Sequence, residues 1–355
     1  MTFGQRRGRR SEDQFRDMVR EAKESHDIVD VIGRKTKLKK MGREHVGLCF
    51  EHDEKTPSLN VNQTLQVYFC RGCGATGDII RAWQVIEGCS FIEAVRGLLG
   101  GTLPKIDPAQ RVQAIARDEA ERSQRIEEAV HIWKQTTALA GTAGETYLRG
   151  RGITDWPHTI RFANTWWWCN HETGETSPDL PAVIGLVQRH DGASGIQRIF
   201  LRPDGSGKAA IAGGKAKLSL GGIVSGALRL GPAAPEILLC EGPEDGLSLR
   251  QELRGSSVWV ALGTANMPKI RFPDTTRRIV ICAQNDAAGD RATELAADAL
   301  LEQGYMVDVR HPAEQFKDWN DQLVAVQREQ RLGYISPDQA RRYSVGAVVN
   351  AGVPA

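Results

Sequence analysis

Four residues in the first third of the chain have the types and spacing of a metal site. Cys49 and His52 are two residues apart, as are Cys70 and Cys73, and seventeen residues separate the pairs. A hairpin between them would set three sulfurs and one nitrogen tetrahedrally around Zn²⁺. Four protein ligands leave no open coordination position, so the role of that metal is structural. Val67-Tyr68-Phe69 reads as the strand that delivers the second pair, and Gly72 and Gly74 permit the tight turn behind it. A second set of reactive residues lies in 236–290. Glu241 follows the apolar run Ile237-Leu238-Leu239-Cys240, and Asp286 follows Ile279-Val280-Ile281-Cys282-Ala283 after Gln284 and Asn285. A further run, Val258-Trp259-Val260-Ala261-Leu262, lies between them. Short apolar runs separated by helical segments read as βαβ units with a parallel sheet, whose chemistry collects at the carboxyl ends of the strands. Two carboxylates at neighbouring strand ends suit a divalent metal.

The elements that must position these groups follow from the rest of the chain. With 355 residues, 41% hydrophobic and 25% charged, two or three ordinary globular domains are expected. The formal net charge is only +2, so any nucleic-acid surface must be a local patch. No apolar run approaches the roughly 20 residues needed to span a bilayer. Arg6, Arg7, Arg9 and Arg10 stand where a signal peptide would have its apolar core, so a cytoplasmic protein is expected. In that reducing compartment close cysteines speak for metal. Residues 1–12 are expected to be disordered. Residues 15–32 read as two short helices broken near Ser25-His26-Asp27, and Ser90 with Glu93 as a capping box. Pro104 and Pro108 mark a linker, and 111–140 reads as helix. Strands at 181–187 and 197–202 meet through a turn at Asp191-Gly192, with Arg198, Phe200 and Arg202 on one face of the second. Gly205-Ser206-Gly207-Lys208 fails as a P-loop, because Ala209 replaces the Ser or Thr that holds Mg²⁺.

The strings Asp27-Ile28-Val29-Asp30, Glu54-Lys55-Thr56-Pro57-Ser58-Leu59, Cys70-Arg71-Gly72-Cys73-Gly74 with Gly77-Asp78, and Ser90-Phe91-Ile92-Glu93 resemble the zinc-binding domain of DnaG-type bacterial and phage DNA primases. Glu241-Gly242-Pro243-Glu244-Asp245, Asn285-Asp286-Ala287-Ala288-Gly289 and Lys317-Asp318-Trp319-Asn320-Asp321 resemble the Toprim fold of the same family. The resemblance implies an α/β multidomain protein. A zinc ribbon (1–101) and a linker (102–125) would precede a mixed α+β subdomain (126–233), a Toprim domain with a Rossmann-like parallel sheet (234–325) and a C-terminal tail (326–355). It implies that Glu241, Asp286 and Asp318 are catalytic and hold Mg²⁺ or Mn²⁺, with Asp245, Asp321 and Gln284 as further ligand positions. It also implies that Arg71, Lys55 and Tyr68, with Phe69, meet single-stranded DNA. Arg198, Arg202, Lys215 and Lys217, with Lys208, would line the groove for template and ribonucleoside triphosphates.

The expected activity is therefore synthesis of short RNA primers on single-stranded DNA, for a phage, plasmid or other mobile element. A separately encoded helicase is the expected partner, since the chain leaves no room for a helicase-docking domain. One departure bears on this. Gln284 stands at the first position of the Asp-x-Asp pair, where an amide can ligate a hard cation but brings no charge. The alternatives are a metal-dependent Toprim-type nuclease and a catalytically weakened single-strand-binding factor in replication or defence.

Overall fold

A computed structural model of the protein describes residues 5–100, 108–170, 173–211, 214–285 and 287–336. The chain folds as two units, Met1–Glu121 and Arg122–Ala355. In the first, α1 (Gln5–Ser25) and α2 (Ile28–Gly33) break at the expected place, because the Asp27 side chain accepts the Val29 N–H at 2.8 Å and caps α2. The helix α1 starts at Gln5, so residues 5–12 are helical where disorder was expected. An antiparallel sheet follows in sequence order: β1 (Lys39–Met41), β2 (Glu44–Gly47), β3 (Leu59–Asn62), β4 (Val67–Cys70) and β5 (Thr76–Asp78). Two helices, α3 (Ile79–Glu87) and α4 (Phe91–Gly100), complete it. The Ser90–Glu93 capping box forms: the Ser90 N–H donates to Glu93 at 2.9 Å and the Glu93 N–H to Ser90 Oγ at 3.4 Å. Ile28, Ile32, Leu59, Val61, Tyr68, Ile80 and Leu98 fill the core between helices and sheet.

Helix α5 runs Pro108–Gln135 where helix was expected over 111–140, so it begins within the expected linker, at residue 108. Pro108 opens the helix, where its missing N–H has no intrahelical partner to lose. The second unit then adds α6 (Ala143–Gly150), β6 (Ile160–Thr165), β7 (Leu180–Arg189), β8 (Gly192–Phe200), β9 (Lys217–Gly221) and β10 (Ala227–Arg229). It continues with β11 (Glu236–Cys240), α7 (Pro243–Glu252), β12 (Ser257–Val260), β13 (Arg278–Cys282), α8 (Ala287–Glu302), β14 (Met306–Arg310) and α9 (Trp319–Arg331). Residues 326–331, expected in a tail, belong to α9.

Among the described residues, the nine strands of this unit join one sheet, ordered β14-β13-β11-β12-β10-β7-β8-β9, with β6 also paired to β7. β14, β13, β11 and β12 are parallel, as their apolar runs require. Alternate residues serve opposite faces. Leu238, Cys240, Val258 and Val260 pack with Leu247 of α7 and Trp319 and Leu323 of α9. Ile237, Leu239, Trp259 and Ile279 pack with Ala296 and Leu300 of α8. Helix α7 comes close because Gly246 has no side chain: a Cβ there would lie 2.5 Å from Val260 Cγ2.

The expected α+β subdomain and parallel domain are thus halves of one sheet, fused where β10 runs antiparallel to β12. Asn266 fastens that seam. Its Nδ2 donates to the Ala261 and Gly226 carbonyls at 2.8 and 3.0 Å, and its Oδ1 accepts the Ser225 N–H at 3.0 Å. Asn266→Ala leaves these backbone groups unsatisfied and should destabilise the second unit by about 1–3 kcal/mol, read as a lower urea midpoint at unchanged m-value.

Candidate functional site

The metal donors of the first unit converge from two turns. Cys49 and His52 lie between β2 and β3, Cys70 ends β4, and Cys73 lies in the turn that follows. Gly74, at φ +76°, makes that turn possible and donates its N–H to the Cys70 carbonyl at 3.0 Å. One ligand atom from each of the four residues lies within 4.8 Å of all the others. Cys49 Sγ is 3.9 Å from Cys73 Sγ, and Cys70 Sγ is 3.8 Å from His52 Nδ1. Three sulfurs and one imidazole nitrogen in this arrangement fit Zn²⁺. The surroundings are built for it. Backbone N–H groups of Gly72 and Cys73 point at Cys70 Sγ, and that of Glu51 at Cys49 Sγ. Glu54 lies 3.3 Å from His52 Nε2 and accepts the N–H groups of Cys49 and Ser58, which leaves Nδ1 toward the sulfurs.

The aromatic surface of this unit differs from the expectation. Tyr68 is 1% exposed; its ring packs against Phe50 and its hydroxyl donates to Glu51. Strand alternation sends it into the core with Cys70, so it cannot stack on a base. Phe69, on the opposite face, is 39% exposed, and Lys55 and Arg71 are exposed as well.

In the second unit, parallel register sets Cys240 beside both Val260 and Cys282. Glu241 and Gln284 therefore leave the same sheet edge one residue apart in level. The Glu241 carbonyl accepts the N–H of Leu262, which adopts φ +60°, a strained conformation for leucine, at the next strand end. Asp286 lies outside the described residues. Asp318 caps α9, accepting the Asp321 N–H at 2.8 Å; Asp321 itself is exposed. Asn285 brings Asp318 to this edge, since its amide donates to the carbonyls of Pro312, Ala313 and Phe316 and pins the loop before α9.

Asp245, in the first turn of α7, is 4% exposed. It accepts Gln284 Nε2 at 2.7 Å and the Asn320 N–H at 3.2 Å. Burial, and then the charge of Asp318, raise its carboxyl to about 7. The charge of Asp318 opposes ionisation of Asp245, a repulsion that a divalent cation would relieve. Gln284 spends its Nε2 on Asp245, which leaves its carbonyl oxygen as the atom that could face a cation, without a charge. Among the described residues no three carboxylates lie as close to one another as the four zinc donors.

The basic residues divide. Arg198 is 2% exposed, which corrects its expected place in an open groove. The face it shares with Phe200 is covered: its guanidinium lies over the Trp166 and Phe200 rings and donates to the Trp166 carbonyl at 2.7 Å. Burial lowers its pKa to about 10. Arg202 and Lys215 are exposed. Lys217 and Lys208 converge on Glu244, at 3.5 and 2.7 Å, and Tyr147 donates to the same carboxylate at 3.0 Å. Burial alone would raise Glu244; Lys217 and Lys208 outweigh it and hold it at about 2.

Sequence reasoning missed Glu244, Asn285 and Asn320. The first had a signal, an acid beside Pro243 in the opening turn of a helix. The two asparagines act by bonding distant backbone, which leaves no pattern.

Residues 14–113 match the family described as CHC2 zinc finger, 123–230 a domain of unknown function (DUF7146), and 236–329 the Toprim domain. A DNA primase of Halalkalibacterium halodurans is 31% identical over 331 residues, covering 82% of this chain and 54% of that protein. A DNA primase of Staphylococcus aureus is 34% identical over 145 residues, covering 39% of this chain and 24% of its own. The chain thus spans about half or less of the length of these curated relatives. The crystal structure of the Aquifex aeolicus primase zinc-binding and RNA polymerase domains aligns at 20% identity with TM-score 0.40, covering 89% of this chain and 84% of that one. Among the described residues no helix is long and apolar enough to cross a membrane.

The purified chain should hold one zinc by elemental analysis. Cys70→Ser should lose it and unfold the first unit, since such a site contributes on the order of 10–16 kcal/mol. Asp245 gives a second expectation. Its folded pKa of about 7 exceeds the unfolded value of 3.8, so the folded state binds the extra proton between them. Its contribution is complete below pH 3.8 and is lost as pH rises through about 7. Asp245→Asn should remove a decline on the order of a few kcal/mol over that window, measured as melting temperature against pH without added Mg²⁺.

Proposed function

We propose that this chain, built as DnaG-type primases are from a CHC2 zinc finger followed by a Toprim domain, is a DNA-directed RNA polymerase that lays short RNA primers on single-stranded DNA. The observation that carries this reading is the zinc-donor set and the acid rim in one chain, in that order, at 31% identity to a DNA primase across 82% of its length. The division into ribbon, middle region and Toprim domain belongs to the same proposal. So do an origin in a phage, plasmid or other mobile element and a separately encoded helicase partner, which rest on the sequence resemblance.

In this reading Glu241, Asp245, Asp318 and Asp286 hold Mg²⁺ or Mn²⁺. The bound ion would supply charge neutralisation at the phosphates and a more acidic 3′-hydroxyl. The protein orients a primer 3′-hydroxyl toward the α-phosphate of a ribonucleoside triphosphate, and pyrophosphate leaves. Lys208 and Lys217 face the triphosphate from beside the acids. Exposed Arg202 and Lys215 contact backbone phosphates, while Lys55, Arg71 and Phe69 of the ribbon meet the unpaired template by charge and stacking. Gln284 orders Asp245 by hydrogen bonding in place of contributing a charge.

The test is incubation with single-stranded DNA, labelled ribonucleotides and Mg²⁺ or Mn²⁺. Short RNA products are expected, reduced about a hundredfold or more in Glu241→Ala and Asp318→Ala, the loss of several kcal/mol of charge stabilisation. Gln284→Asp should lower the metal concentration for half-maximal activity. The hydrogen bond from Gln284 to Asp245 favours a second reading, a single-strand-binding factor without turnover. Tight DNA binding with no RNA product, in the parent and in Gln284→Asp alike, would establish that reading, and nicked DNA would establish a nuclease.

A further inference from the structure

Glu244 is 5% exposed and stands next to Asp245, and none of the roles implied by the resemblance uses it. Its carboxylate is met by cations from two separate stretches. Lys208 lies in the loop after β8, where residue 208 bridges back to Leu201, and Lys217 is the first residue of β9. Lys208 Nζ lies 2.7 Å from Oε1 and Lys217 Nζ 3.5 Å from Oε2, so each lysine takes a different oxygen. Tyr147 of α6 donates to Oε1 at 3.0 Å and fixes the carboxylate from a third side. The lysines remain open to solvent, with 37% and 43% of their side chains exposed. An ammonium has three donors, so pairing with Glu244 leaves donors free on both lysines.

We propose that Glu244 is a positioning residue that fixes Lys208 and Lys217 as a paired cationic anchor for the triphosphate of the incoming nucleotide. The proposal rests on the primase reading of the site and adds to it the group that orders the lysines. Two positive charges against one negative leave the cluster net positive. Glu244 stands in the same helical turn as Asp245 and three residues after Glu241. The anchor and the acid rim are therefore built on one rigid element, and the distance between the phosphate tail and the reacting phosphate is set by α7. Lysine stems ordered before binding lose less freedom when phosphate arrives.

Charge and position predict opposite results for Glu244→Gln. Removing a negative charge strengthens the positive field, so a purely electrostatic role predicts tighter binding. A positioning role predicts weaker binding. The experiment is titration calorimetry of the full, zinc-loaded chain with a non-hydrolysable ribonucleoside triphosphate and Mg²⁺. Glu244→Gln should raise Kd about tenfold, and Lys208→Met and Lys217→Met should each do likewise; by coupling, the triple variant should be no weaker than the double lysine variant. In primer synthesis KM for nucleotide should rise in Glu244→Gln while kcat at saturation stays within about threefold, as expected for lost substrate binding. Equal or tighter binding by Glu244→Gln, at the parent's melting temperature and zinc content, overturns the proposal. If Glu244→Gln does not fold, the lysine variants decide: unchanged Kd in both overturns it as well. A parent that binds the triphosphate through these residues but makes no RNA would sink the primase reading and leave the anchor standing. A parent that binds no triphosphate sinks the anchor.

Discussion

Two consecutive carboxylates, Glu244 and Asp245, are buried in the first turn of α7, and much of the second unit is arranged around that cost. A buried anion must be paired, hydrogen-bonded or protonated. The protein uses all three. Glu244 recruits two lysines and a tyrosine from the β8–β9 side and from α6. Asp245 takes an amide from the end of β13 and a backbone N–H from α9, and burial still favours its protonated form. One turn of helix is therefore tied to five separate stretches of chain. The fused sheet is what allows this. With the seam at β10 and β12, the lysines of one half and the acids of the other belong to one continuous layer.

What was legible in the sequence was what local spacing encodes. Two Cys/His pairs on a hairpin scale specify the zinc set without knowledge of anything else, and the four donors do converge. Apolar runs ending in Glu241 and Gln284 specify parallel strands, because strands buried on both faces have no polar alternation to confuse them with anything half-exposed. What failed were inferences about which face is covered. Parity correctly set Arg198 beside Phe200, but parity does not say that Trp166 roofs that face. Tyr68 and Phe69 had to point opposite ways, and only packing against Phe50 decided which is inside. The seam at β10 was out of reach for another reason. Three residues, Ala227–Arg229, are too short to carry a periodic signal.

Prolines illustrate how one residue type supports opposite readings. Pro108 looked like a break and is the start of a 28-residue helix. Pro243 opens α7 in the same way, directly after Glu241-Gly242. In both cases the ring supplies helical φ at a position whose N–H is not needed. At α7 this has a consequence for the site. No side chain caps that helix, so its first N–H groups and its two acids are left to be organised by neighbours from outside the helix.

Gln284 gains a physical meaning from this arrangement. An aspartate at its position would bring a further negative charge within hydrogen-bonding distance of buried Asp245, whose carboxyl is already pushed up by burial and by Asp318. Like charges that close are tolerated only when a cation sits between them. The amide removes the conflict: it donates where a carboxylate would repel, and it orders Asp245 without help from a metal. The cost is one unit of ligand charge, which weakens the grip on a hard cation. On the proposed reading the rim is therefore a compromise between holding its shape with no ion bound and holding the ion tightly. The same logic separates its two buried acids. Glu244 is paired with protein cations and so, on the proposed reading, does not compete for metal, while Asp245, met only by neutral donors and favoured as the acid, would give up its proton to bind one.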